Sequence, residues 1–137
     1  MSTKRNKGFT LIELVLVITI LGILAVAALP AFINVSTQAK QAARDGVIGS
    51  VRAGIALFRA NDLVVNGPPG SYPATLDAAA NGAATPTNMF FGTVLQSAVA
   101  SQWNKTAADV YTFSDGTSTF TYTYVPATGA FTSPTAP

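Results

Sequence analysis

Glu13 is the residue whose setting could do chemistry. Over residues 9–33 it is the one ionisable side chain in an otherwise apolar run. A helix rises ~1.5 Å per residue and about 20 apolar residues cross the hydrocarbon of a bilayer, so this run is long enough to span. A carboxylate held in such a segment costs roughly 2.5–3.5 kcal/mol on insertion scales and calls for a partner. Phe9 lies about one helical turn before Glu13. A cut between Gly8 and Phe9 would therefore create an α-amine at nearly the depth of the acid. Helix geometry makes that pairing awkward within one chain, whereas the amine of a second copy could meet Glu13 of the first.

The rest of the sequence offers little to a catalyst. With no His and no Cys, Ser-His-Asp and Cys-His arrangements, zinc ligation and disulfides all disappear together. Asp109 and Asp115 flank a β-rich run and are candidate calcium ligands if backbone carbonyls complete the shell. The simpler reading makes Asp115 the first residue of a tight turn. No other cofactor is expected, and the chain is not expected to be an enzyme.

Lys7-Gly8-Phe9-Thr10-Leu11-Ile12-Glu13, followed by Gly22 and Pro30, resembles the amino-terminal signature of type IV pilins and of type II secretion pseudopilins. The resemblance implies that a prepilin peptidase cuts after Gly8 and that the new amine of Phe9 is methylated. It also implies that Glu13 acts in assembly, and that the partners are further copies in a helical filament and an inner-membrane assembly platform. The segment containing Tyr72-Pro73 is similar to one that follows the long helix in many pseudopilins. Many pilins close a carboxy-terminal loop with a disulfide; this chain departs from that pattern, which tilts the reading toward a pseudopilin.

The 137 residues are 49% hydrophobic and only 10% charged, where a typical soluble domain is about one-quarter charged. That leaves room for one membrane segment and one small domain of under about 100 residues. The calculated pI of 9.2 belongs to the uncut chain. Without Lys4, Arg5 and Lys7, five basic side chains face six acidic ones, so no electrostatic footprint for nucleic acid remains. Those three cations instead predict a cytoplasmic amino terminus and a domain on the far side of the inner membrane.

The expected organisation is a leader over residues 1–8, a transmembrane or filament-core helix over 9–33, an amphipathic continuation over 34–60, and a β-containing periplasmic or extracellular head over 61–137. Gly22 and Pro30 weaken the helix at two points, one by backbone entropy and one by a missing N–H. Val47, Ile48, Val51, Ile55 and Phe58 share one helical face and should pack on the head from about Val47 onward. Arg52 and Arg59 fall on another face, expected to be solvated. Residues 66–70, Asn-Gly-Pro-Pro-Gly, form a turn cluster. Residues 77–88 read as a surface loop of small residues, and residues 89–103 as a short helix with Trp103 as a core or interface anchor.

Residues 110–114, 117–125 and 130–132 read as strands, the first two joined by a two-residue Asp115-Gly116 turn. Alternation of Phe120, Tyr122 and Tyr124 with threonines gives one aromatic face. The fold class is α+β: a long amino-terminal helix, membrane-spanning in its first half, packed in its second half on a small antiparallel sheet, in a pilin-like lollipop.

These features predict a structural subunit of a pilus-like filament, with a slight lean to the secretion pseudopilus over a surface pilus for adhesion or motility. A monomeric membrane-anchored binding module is the alternative of another class. At the amino terminus, a secretory signal peptide cut after Ala27 and a plain single-pass anchor stay open. Mass spectrometry of the mature amino-terminal peptide separates them: the expected peptide begins at Phe9 and carries one extra methyl, and one beginning at Met1 or Ala28 refutes the reading.

Overall fold

The computed structural model describes residues 8–133. Of the expected leader, residues 1–7, including Lys4, Arg5 and Lys7, lie outside the described residues. The first element, α1, runs over Leu11–Asn66. Its helix passes Gly22 and Pro30 without interruption, although Pro30 has no N–H to offer the carbonyl four residues earlier. The helix ends six residues beyond the expected 60, because nothing over 61–66 breaks it. Gly67 then takes a φ of 84°, and its N–H closes the last turn on the Leu63 carbonyl at 3.1 Å, an end that favours glycine.

The chain forms two compact units, Met1–Gln38 and Ala39–Pro137. In the first, the large apolar side chains are exposed, among them Phe9, Leu11, Ile12, Leu24, Leu29 and Phe32. This helix is long and apolar enough to cross a membrane, with a mean hydropathy of 2.8 over its most apolar stretch.

The second unit holds five antiparallel strands in sequence order: β1 Gly82–Ala83, β2 Trp103–Ala107, β3 Val110–Ser114, β4 Thr119–Val125 and β5 Ala130–Thr132. Register places Trp103 opposite Phe113, Tyr111 opposite Tyr122, and Tyr124 opposite Phe131, so aromatic pairs line one face. Ile48, Val51 and Ile55 of α1 belong to the same core, with Val47 partly buried against it. Phe91 sits at its centre, 4.6 Å from Tyr111, 5.4 Å from Trp103 and 5.7 Å from Phe131 between ring centroids.

Several expectations need correction. Phe58 is 37% exposed, because past Ile55 the covered face steps by four to Arg59 rather than by three to Phe58. Residues 89–103 are not a helix. Their helical spacing is realised for one turn only, where the Val94 and Leu95 amides both donate to the Phe91 carbonyl. Beyond it, Phe90 and Val99 exchange a pair of hydrogen bonds at 2.8 and 2.9 Å, and Trp103 opens β2. Phe91 takes a φ of 63°, a costly conformation for a bulky residue. It is fully buried there, so the packing holds it. The sheet has five strands rather than three, and the β3–β4 connection is a four-residue loop over 115–118. Asp115 donates its amide to the Ser118 carbonyl and accepts at its carboxylate from the Thr117 and Ser118 amides, which lengthens the turn beyond two residues.

Two glycines of α1 give opposite expectations. A Cβ at Gly54 would overlap the Val94 carbonyl, whereas one at Gly49 meets nothing within 4 Å. Gly54→Ala should destabilise the head by about 1–3 kcal/mol through forced displacement. Gly49→Ala should instead stabilise it by up to about 1 kcal/mol through helix propensity. Thermal unfolding of the detergent-solubilised chain reads both signs.

Candidate assembly site

Thr10 and Glu13 begin the helix together. The Thr10 amide and hydroxyl each donate to Glu13 Oε2 at 2.8 Å, and the Glu13 amide donates back to Thr10 Oγ1 at 3.3 Å. This is a reciprocal capping box: Thr at the cap, Glu three residues on, each satisfying an amide that the helix leaves unpaired. The two-residue signature Thr-x-x-Glu was readable in the sequence, and reading Glu13 only as an acid in need of an amine missed it. Both bonds to the carboxylate go to Oε2, so Oε1 is without a hydrogen-bond partner among the described residues. Gly8, Phe9 and Thr10 precede the helix, and the Phe9 side chain is 90% exposed. The expected scissile bond thus lies in non-helical backbone.

In the second unit, the helix is fastened to the sheet earlier and with more polar chemistry than its apolar spacing suggests. Lys40 Nζ donates to the Asp115 carbonyl at 3.0 Å, and Gln41 Nε2 to Asp115 Oδ2 at 2.8 Å. The Arg44 guanidinium lies 4.2 Å from the Phe120 ring centroid and pairs with Asp45 at 2.7 Å. Contact therefore begins at Lys40, about two turns before Val47. Arg52 and Arg59 are not simply solvated. Arg52 Nε donates to the Phe131 carbonyl at 3.0 Å. Arg59 donates to the Tyr72 hydroxyl and the Pro69 carbonyl while lying over the Tyr72 ring. Each long cationic side chain reaches from the helix to an acceptor in a distant part of the chain.

Asp109 and Asp115 cannot share a calcium ion. They sit at opposite ends of the five-residue strand β3, which spans roughly 17 Å, whereas calcium ligands stand at about 2.3–2.6 Å from the ion. Asp115 is committed to Gln41 and two amides of its own loop. Among the described residues no group of three or more His, Cys, Asp or Glu side chains could hold a metal.

The buried polar centre of the head lies where a surface loop was expected. Asp77 is 5% exposed. Its Oδ1 accepts from Lys105 Nζ at 2.6 Å and the Ala79 amide at 3.1 Å, and its Oδ2 from the Tyr111 hydroxyl at 2.8 Å and the Phe91 amide at 3.1 Å. Burial first, and then the hydrogen bond to Asp77, push the Tyr111 hydroxyl far above its ordinary pKa. Removing one partner of such a pair costs about 3–5 kcal/mol. The one available signal was that Lys105 is the only basic residue after Arg59.

Residues 3–29 match the family model described as the prokaryotic N-terminal methylation motif. The chain is 49% identical over 53 residues to the type IV narrow pilus major component PilA5 of Thermus thermophilus, covering 39% of this chain and 46% of that protein. It is 32% identical over 75 residues to the type II secretion system core protein G of Pseudomonas aeruginosa, covering 55% and 48%. The amino-terminal region of the chain is thus similar to that of type IV pilins and type II secretion pseudopilins. A third relative, the type IV major pilin protein PilA of Myxococcus xanthus, is 57% identical over 37 residues, 27% of this chain and 17% of that one. The chain thus spans less than half the length of each of these pilin and pseudopilin relatives. No solved structure matches it.

One pH dependence belongs to the second unit. Gln41 first, then the Ser118 and Thr117 amides, hold the Asp115 carboxyl at about 2, below its ordinary value. A carboxyl lowered by folding stabilises the fold above its unfolded pKa and loses that contribution as pH falls through the folded one. Stability should therefore decline between pH values of about 4 and about 2. Asp115→Asn should flatten that decline in acid unfolding followed by tyrosine and tryptophan fluorescence.

Proposed function

We propose that this chain is a structural subunit of a type IV pilus-like filament, and not an enzyme. The carrying observation is the exposed apolar helix with a single acid at its start, whose carboxylate is held by Thr10 through one oxygen and offers the other. In this reading the basic leader keeps the amino terminus cytoplasmic and a prepilin peptidase cuts between Gly8 and Phe9. The methylated Phe9 amine of one subunit then meets Glu13 of another as an inner-membrane platform draws the helix into the fibre. Lipid tails are as apolar as leucine, so this transfer gains little from hydrophobicity, and close helix packing together with the amine–carboxylate pair must supply register. Gly22 and Pro30 are the places where the helix would yield during that transfer.

Two finer readings each have an observation behind them. The secretion pseudopilus is supported by the longest match, to a type II secretion core protein, and by the absence of cysteines. The surface pilus is supported by the higher identities to two major pilins. The filament reading itself is tested at Glu13. Glu13→Ala should give a chain that is inserted and cleaved normally yet absent from sheared filaments, with incorporation reduced at least tenfold by immunoblot. Filaments at the natural yield would overturn the proposed role.

A further inference from the structure

The Asp77–Lys105 contact has the parts of an acyl-transfer site. We propose that these two side chains condense to an intramolecular amide, closing a covalent cross-link inside the cysteine-free head. Their side chains are 2% and 5% exposed. Lys105 Nζ stands 2.6 Å from Oδ1, which places it about 3.4 Å from the carboxyl carbon, within the range of a near-attack arrangement. Asp77 Oδ2 receives two donors, the Tyr111 hydroxyl and the Phe91 amide, in the disposition that stabilises a developing oxyanion. The Ala79 carbonyl accepts a further Nζ proton at 3.0 Å, so the nitrogen is oriented from behind. The Tyr111 ring lies 5.6 Å from Nζ, and Phe90 and Phe91 pack on that ring at 5.8 and 4.6 Å between centroids.

The step balances without a co-reactant. One Nζ proton passes to Oδ1, leaving an amine lone pair and a carboxylic acid for the reaction. The nitrogen lone pair forms the Nζ–Cγ bond while the C–Oδ2 π electrons move onto Oδ2 under Tyr111 and Phe91. Oδ2 then re-forms its double bond, the Cγ–Oδ1 bond breaks, and Oδ1 takes a second Nζ proton and departs as water. The product amide keeps one N–H for the Ala79 carbonyl and one C=O for Tyr111 and Phe91. It ties residue 77 to β2, joining the segment after the helix to the sheet as a disulfide would. Strapping that segment down would also protect the strained Phe91 beside it.

Because Lys105 is the one trypsin site after Arg59, the experiment is direct. The mature protein, isolated from its native membranes, is weighed intact, then denatured and digested with trypsin. The expected intact mass is one water below that of the methylated chain, and residues 60–137 are recovered as a single species without cleavage after Lys105. Separate peptides 60–105 and 106–137 at full mass would overturn the proposal. Lys105→Arg keeps the charge but should restore the missing water; a deficit that persists in that variant would place the dehydration elsewhere and equally overturn it.

Discussion

The Asp77 carboxylate is met from four directions, by the amides of Ala79 and Phe91, the ammonium of Lys105 and the hydroxyl of Tyr111. Those donors come from the segment after the helix, the irregular stretch before β2, and strands β2 and β3. A head with no cysteine and little regular structure between residues 67 and 102 has few other ways to fix these pieces. The ion pair is tolerable in the core because every lone pair facing it is used; left half-paired it would cost several kcal/mol. The unusual backbone of Phe91 follows from the same arrangement, since its amide must reach Oδ2 while its ring fills the centre of the aromatic cluster.

At the other end of α1 a second carboxylate is treated differently. Glu13 is bound only by the residue that caps its own helix, on a segment whose large side chains remain uncovered. One acid is saturated and interior, the other half-used and exposed. That contrast separates a group that holds the fold together from one left available to another molecule.

The long apolar run, the glycine-proline end of the helix, the last three strands and the aromatic alternation on β4 were all legible, because each depends on local periodicity or turn chemistry. What escaped was set by contacts distant in sequence. The helical spacing of Phe91, Val94, Leu95 and Ala98 was genuine but lost to the pairing of Phe90 with Val99. Asp77 looked like part of a polar loop because nothing nearby hints at Lys105, 28 positions away. Arg52 and Arg59 looked solvated because their acceptors, Phe131 and Tyr72, lie in segments whose approach to the helix no pattern encodes. The capping box is a local pattern, Thr10-x-x-Glu13, and was hidden because the same acid also stands out as a lone charge in an apolar run.

The side-chain cations beyond the leader share a property with a mechanical consequence. Lys40, Arg44, Arg52, Arg59 and Lys105 each have a partner inside the head unit. A basic residue near an anionic lipid surface typically holds on by about 1 kcal/mol. Turned to internal acceptors, these five side chains would have to break those contacts before they could reach out to a charged surface.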